Sequence, residues 1–155
     1  MKSFVCKSEE ALLSLGGRVG AEMRRRNKEF LVVLLSGDVG AGKSCFARGC
    51  IRSALGNENE VVNSPTFVLL NTYRSDEQLL VHHLDLYRIR DVARVKMLGI
   101  PAMCQSGHVL IEWHQLVERV LRPFKDRQML VEITSDESDC RFVSLTGPKS
   151  WIDNL

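Results

Sequence analysis

The sequence predicts an α/β fold: a three-layer domain with a mostly parallel sheet, flanking helices and a C-terminal β-hairpin. Two observations predict it. Short runs rich in Val, Ile and Leu alternate along the chain with stretches of helical periodicity, and a glycine-rich turn joins the longest apolar run to a helix. The length of 155 residues suits one compact domain and is too short for two, so we expect a single domain over 1–155.

The first predicted helix begins at Ser8, whose side chain can cap it, and two glutamates follow in the first turn. Its apolar face is made by Leu12, Leu15, Val19 and Met23. Three glycines on the same stretch weaken it, namely Gly16, Gly17 and Gly20. They indicate either close packing against a neighbour or a frayed helix.

The elements that follow can be predicted from apolar runs and breakers. The predicted strands cover 30–35, 67–73, 79–84, 108–112, 129–134 and 141–146. The predicted helices cover 44–55, 91–98 and 115–121. The first is ended by Gly56 and the third by Pro123. The last two strands form the hairpin, with its turn around the sequence SDESD.

Composition excludes several classes of protein. A net charge of +2, with 26% charged and 45% hydrophobic residues, excludes wholesale disorder and argues against a protein that coats nucleic acid. The five cysteines form no CxxC pair, which is typical of a reducing compartment. Neither a signal peptide nor an apolar run of membrane-spanning length is present, so we expect a cytoplasmic protein with no membrane association.

The strongest chemical signal is the segment GDVGAGKS over 37–44, which matches the motif GxxxxGK[ST] between a strand and a helix. Its members are Gly37, Asp38, Val39, Gly40, Ala41, Gly42, Lys43 and Ser44. Such a loop directs backbone N–H groups at phosphates, while the lysine reaches the β- and γ-phosphates and the serine binds Mg²⁺. The setting disfavours a chance match, and we predict a P-loop NTPase-type domain that binds a nucleoside triphosphate.

Two carboxylates are candidates for completing a magnesium site at the loop. Asp85 ends one predicted strand and Glu112 ends another. Either could coordinate the metal while the other orients or deprotonates the attacking water, and the residues alone leave the two roles open.

Three further segments accompany the loop: SPTF at 64–67, HLDLYR at 83–88 and LIEW at 110–113. In this order and spacing, from about residue 8 to about 146, the chain resembles the TsaE family. The family consists of small bacterial ATPases needed for threonylcarbamoyladenosine modification of tRNA. The resemblance implies that ATP and Mg²⁺ are the cofactors and that TsaB and TsaD are the partners. It also implies that tRNA is reached only through that complex.

The resemblance also implies roles for individual residues. Ser44 and Glu112 correspond to the Mg²⁺ ligands, and Asp85 to the acid near the attacking water. Thr66 lies in a switch-like loop near the γ-phosphate, and Trp113 lies beside the nucleotide. Lys43, Asp85 and Thr66 are thus the expected catalytic residues.

The chain departs from the family pattern at several positions. Cys45 replaces a threonine after Ser44, and its thiol is a weaker hydrogen-bond donor, so we expect lower nucleotide affinity at this binding position. Ala11 removes another hydroxyl. Val95, Lys96 and His114 also differ, at positions where a partner would dock.

Two other functions compete with the ATPase: a kinase of a small metabolite, and a non-catalytic adaptor gated by nucleotide. Direct RNA binding through the basic clusters at 24–28 and 88–96 is disfavoured by the low net charge. His82 and His83 are interpreted as ordinary strand residues that face opposite sides of the sheet.

Overall fold

The computed structural model describes residues 1–136 and 140–155, and seven strands within them form one sheet. The strands are β1 Lys2–Cys6, β2 Val32–Ser36, β3 Leu70–Arg74, β4 Leu80–Asp85, β5 His108–Glu112, β6 Gln128–Ser135 and β7 Arg141–Thr146. The helices are α1 Glu9–Arg25, α2 Lys43–Leu55, α3 Val92–Met97, α4 Ile100–Ser106, α5 Glu118–Leu121 and α6 Lys149–Ile152. In these described ranges, no helix has the length and apolar content needed to cross a membrane.

The centre of the sheet is parallel and its margins are antiparallel. The strand order is β1-β7-β6-β2-β5-β4-β3, and the four central strands β6, β2, β5 and β4 are parallel to one another. In this register Glu112 of β5 is paired with Asp85 on the neighbouring strand β4 and with Leu35 on the other neighbour, β2. The carboxyl ends of β2, β4 and β5 therefore meet at one edge of the sheet.

Helices cover both faces of the sheet, which gives the predicted three layers. Residues of α1, α2 and α6 pack on one face against alternate side chains such as Val33, Leu35 and Leu110. Residues of α3, α4 and α5 pack on the other face against Val32 and Leu34. The fold class predicted from the sequence is confirmed, including the β6–β7 hairpin. Residues 137–139 of its predicted turn lie outside the described residues.

The predicted start and buried face of α1 are confirmed. Ser8 Oγ accepts a hydrogen bond from the Ala11 N–H at 3.2 Å, and the four predicted core residues are buried. The glycines reflect close packing, because a methyl group on Gly16 would overlap the carbonyl oxygen of Phe46. One on Gly20 would overlap the carbonyl oxygen of Cys50. Helices α1 and α2 thus pack backbone against backbone.

The predicted strand at 67–73 starts three residues too early. Residues 66–68 form a turn in which the Leu69 N–H donates to the Pro65 carbonyl oxygen at 2.6 Å. Leu69 itself has φ of +69°, outside the range of a strand, so β3 begins at Leu70. The apolar side chains of Phe67 and Val68 are left exposed instead of being paired into the sheet.

The helical prediction near the C-terminal half also needs correction. Helix α4 was not predicted, because Gly99 and Pro101 resemble breakers, whereas they begin the helix. The helix predicted over 115–121 starts as a 3₁₀ turn at His114–Val117, and a second 3₁₀ turn at Arg122–Arg127 carries the chain past the expected stop at Pro123. The short elements β1 and α6 were also missed.

His108, the first residue of β5, is fully buried in an aromatic environment. Its Nδ1 accepts a hydrogen bond from the Leu31 N–H at 3.0 Å. The rings of Phe30 and Trp151 approach edge-on at 5.8 and 6.1 Å between centroids. Burial lowers the pKa of His108 from its ordinary value of 6.5 to about 4, so the folded chain holds this imidazole neutral.

We therefore expect the chain to lose stability as the pH falls from about 6.5 to about 4. In that window the unfolded state takes up a proton at His108 that the folded state refuses, at a cost approaching about 3 kcal/mol at the lower limit. Urea unfolding across this pH range measures the loss. In His108→Asn, whose side-chain oxygen takes the position of Nδ1 and can still accept from Leu31, the pH dependence should be shallower. An equally steep curve in that variant would contradict the assignment.

Candidate functional site

The segment from Gly37 to Ser44 forms a tight loop between β2 and α2. Three glycines adopt backbone angles that other residues rarely reach, with φ of +146° at Gly37, +83° at Gly40 and +112° at Gly42. A methyl group on Gly37 would also overlap the Ile133 carbonyl oxygen, and one on Gly42 would overlap the Leu12 side chain. The loop is therefore confined between the sheet and α1, and it leads into the N-terminus of a 13-residue helix.

The residues between these glycines take part mainly through their backbones. The Ala41 N–H donates to the Asp38 carbonyl oxygen at 3.1 Å, and the Ala41 side chain is buried. Val39, by contrast, is 74% exposed at the outer end of the loop. The Asp38 and Val39 positions thus shape the loop more than they present chemistry.

Lys43 is buried beneath the loop, with 5% of its surface exposed. Its ammonium group donates to the carbonyl oxygens of Gly37 and Asp38 at 2.7 and 2.8 Å, and lies 4.4 Å from the centre of the Trp113 ring. Burial lowers the pKa of Lys43, although the carboxylates of Glu112, Asp85 and Asp38 oppose that shift. The cation is therefore held in place at the centre of the site.

Glu112 lies behind the first turn of α2. The Ser44 hydroxyl donates to its Oε1 and Oε2 at 3.3 and 3.4 Å. On the other side, the ring of His83 contacts Oε1 at 2.9 Å through Nε2. Glu112 is only 2% exposed, so its carboxylate depends on these contacts.

The Asp85 carboxylate is hydrogen-bonded to the segment that begins at Ser64. Its Oδ2 accepts hydrogen bonds from the Thr66 hydroxyl at 2.6 Å and from the Ser64 hydroxyl at 3.5 Å. Its Oδ1 accepts from the Tyr87 N–H at 2.9 Å. The carboxylate therefore links the end of β4 to the turn containing Thr66.

Trp113 has an unusual backbone conformation for a bulky residue, with φ of +59°. Strained angles of this kind cost of order 1 kcal/mol and persist where surrounding structure requires them. Here the ring lies over the Lys43 ammonium and beside Tyr87, whose ring centre is 4.9 Å away. The two aromatic rings form one wall of the site.

Cys45 follows the motif and contacts the neighbouring helix. Its thiol donates to the Glu9 carbonyl oxygen at 3.5 Å. Burial and the nearby Glu9 carboxylate raise the pKa of Cys45, so this side chain stays a thiol at neutral pH.

These groups surround a single cavity of about 330 Å³. The predicted residues that line it are Val39, Gly40, Gly42, Lys43, Ser44, Cys45, Thr66, Asp85, Glu112 and Trp113. Gly37, Asp38 and Ala41 lie behind the wall. Ser64 and Tyr87 also line the cavity and were not predicted as site residues. Ser64 belongs to the SPTF segment and Tyr87 to the HLDLYR segment.

The oxygen donors at the cavity suit Mg²⁺. This ion prefers a hydroxyl and one or two carboxylates with water and phosphate oxygens completing the shell. Ser44 and Glu112 supply such a pair, and Asp85 is adjacent across the β4–β5 ladder. Within residues 1–136 and 140–155, no group of three or more His, Cys, Asp and Glu side chains could hold a metal by itself.

A sheet with a parallel centre, a GxxxxGK[ST] loop leading into a helix and two acidic residues at neighbouring strand ends define the P-loop class of nucleotide-binding proteins. Comparison with known proteins narrows the class. The family model "Threonylcarbamoyl adenosine biosynthesis protein TsaE" matches residues 6–143. The chain therefore belongs to the TsaE family, as its motifs predicted, and is a component of tRNA threonylcarbamoyladenosine biosynthesis.

Individual relatives support the same assignment. A TsaE of Rickettsia felis is 34% identical over 80% of this chain and 71% of its own length. A TsaE of Bacillus subtilis is 33% identical over 74% and 70%, respectively. The crystal structure of Bacillus subtilis YdiB superposes with a TM-score of 0.71 at 26% identity, covering 96% of this chain and 86% of that one.

Proposed function

We propose that this chain binds ATP with Mg²⁺ in the 330 Å³ cavity and hydrolyses it as the ATPase component of tRNA N6-threonylcarbamoyladenosine synthesis. The single observation that carries the proposal is the convergence of three groups on one cavity. These are the glycine-rich loop with Lys43, the Ser44–Glu112 pair, and the Thr66–Asp85 pair. One domain over 1–155 carries the whole site.

The triphosphate would be bound mainly by the glycine-rich loop at 37–44. Its backbone N–H groups and the N-terminus of α2 attract the phosphates, and the Lys43 ammonium neutralises their charge. Ser44 and Glu112 would hold Mg²⁺, which supplies further charge neutralisation at the β- and γ-phosphates. Trp113 and Tyr87 offer aromatic faces along the wall. The thiol of Cys45 donates only weakly, which favours modest affinity.

Hydrolysis would depend on Asp85 and Thr66, which line the same cavity. We assign Asp85 to orient the attacking water and accept its proton, and we assign the Thr66 hydroxyl, 2.6 Å from Asp85, to contact the γ-phosphate. Among the described residues no arginine lines the cavity. Arginine is the usual source of extra positive charge in the transition state of phosphoryl transfer, so we expect the isolated chain to be a weak ATPase.

Partner proteins would complete the site. By family membership we assign TsaB and TsaD as partners, with tRNA reached through their complex in the cytoplasm. Phe67 and Val68 support a contact at the cavity mouth, since they are 80% and 64% exposed and follow Thr66 directly. A partner seated there would cover the Thr66 turn and exclude water from the γ-phosphate.

The test is phosphate release from Mg·ATP by the chain alone and with purified TsaB and TsaD. We expect slow release alone and at least a tenfold increase with the partners, since partner-supplied charge can accelerate phosphoryl transfer strongly. Release that the partners leave unchanged would contradict the assigned partnership. Phosphorylation of a small acceptor without partners would favour a kinase instead, and nucleotide binding without turnover would favour a gated adaptor.

A further inference from the structure

Two adjacent histidines on β4 face opposite sides of the sheet and make different contacts. His82 lies on the α4 side, where its Nδ1 contacts the Thr72 hydroxyl at 2.9 Å and its Nε2 contacts the Ser106 hydroxyl at 3.4 Å. His83 lies on the α2 side, two residues before Asp85 and therefore on the same face of the strand. It is fully buried behind the nucleotide cavity and does not line it.

The environment of His83 is simple. Its Nε2–H donates to Glu112 Oε1 at 2.9 Å, and the two side chains are 1% and 3% exposed. Its Nδ1 is buried and has no hydrogen-bond partner in the part of the chain that the structure describes. Packing does not explain an imidazole here, because an apolar side chain would leave no buried nitrogen without a partner. The contact with Glu112 is the feature that requires a histidine.

The contact restricts the carboxylate that faces the phosphate loop. Oε1 is engaged by the imidazole from behind the sheet edge, while the Ser44 hydroxyl lies in front at 3.3 and 3.4 Å from the two oxygens. A carboxylate held from behind loses rotational freedom before any ligand arrives. Donors behind a metal-binding carboxylate commonly orient it, and their loss typically weakens metal affinity 10- to 100-fold.

We propose that His83 is a positioning residue that orients the Glu112 carboxylate toward Mg²⁺. The inference rests on the proposed function, since it assumes that Glu112 contacts the metal that accompanies the nucleotide. His83 touches neither nucleotide nor metal in this scheme. Its contribution is confined to the metal-dependent part of the binding free energy, because the loop amides and Lys43 bind phosphates without it.

The test separates metal-dependent from metal-independent binding. Calorimetry gives the dissociation constant of ADP in EDTA and in Mg²⁺, and their ratio is the magnesium enhancement. In His83→Ala we expect this enhancement to fall at least tenfold, with the affinity in EDTA unchanged within about twofold. In His83→Gln, whose amide nitrogen can replace Nε2, most of the enhancement should remain. His82→Gln is the matched control on the opposite face and should behave as the unsubstituted chain does.

The inference is overturned if His83→Ala retains the full enhancement, or if its affinity in EDTA falls as much as its affinity in Mg²⁺. Should His83→Ala not fold, the pair His83→Gln and His83→Asn carries the test, because the shorter amide does not reach Glu112. Equal enhancement in that pair then overturns the inference. Failure of the proposed function is seen separately, since it means that the unsubstituted chain binds no nucleotide.

Discussion

Lys43→Ala is expected to weaken ATP binding about 100-fold or more and to reduce phosphate release to background. The ammonium is buried beneath the loop and lies 2.7 and 2.8 Å from two loop carbonyl oxygens, so its removal affects both the loop and the triphosphate. Loss of one preorganised hydrogen-bond donor in an active site commonly costs about 10²- to 10³-fold in rate. Calorimetry with Mg·ATP and a phosphate-release assay measure the two effects.

The matched control for this prediction is Lys28→Ala. Lys28 is exposed beyond the C-terminus of α1, and its loss removes the same charge without touching the cavity. The unsubstituted chain and this control should agree within about twofold, since surface charges contribute little. If Lys43→Ala retained the affinity of the control, the nucleotide would not bind at the loop.

Asp85→Asn is expected to separate hydrolysis from binding. Phosphate release should fall about 10²- to 10³-fold, as the amide cannot accept a proton from the attacking water. The affinity for Mg·ATP should change by less than about threefold, because Asp85 contacts the hydroxyls of Thr66 and Ser64 rather than the phosphate loop. Single-turnover phosphate release and calorimetry on the same preparation measure both quantities.

Two comparisons make the result specific to this carboxylate. Asp153→Asn removes an exposed carboxylate near the end of the chain and should leave turnover unchanged. Glu112→Gln should act instead through the magnesium dependence of binding. An Asp85→Asn variant with normal turnover would show that another group activates the water, and the roles of the two acids would have to be reassigned.

The parts of the fold that could be predicted from sequence are those with a local signal. Strands β5 and β7 have the predicted bounds, because β5 is a buried, mostly apolar run and β7 lies between a polar turn and Gly147. Strand β1 was missed because it is short and its residues alternate between exposed and partly buried positions. It lies at the edge of the sheet and pairs only with β7. Strand β3 starts late because the left-handed conformation of Leu69 is imposed by a turn, which residue type does not reveal.

The site residues also divide into those with a local sequence signal and those without one. The residues of the phosphate loop follow one another in sequence, so the motif alone brought them together. Asp85 and Glu112 were found because parallel strands end at a common edge. The contact between His83 and Glu112 joins positions 29 residues apart on neighbouring strands. The two-residue spacing between His83 and Asp85 was the available signal, and it was interpreted as ordinary strand alternation.

The close contact between Gly42 and Leu12 ties the phosphate loop to the N-terminal helix. The curvature of the loop at this point is set by a leucine side chain from a different element, which is itself fully buried. Gly42 is therefore constrained twice, because any side chain there would overlap Leu12 and would also have to adopt a φ of +112°. The position of the phosphate loop thus depends on a helix that lies outside the GxxxxGK[ST] motif.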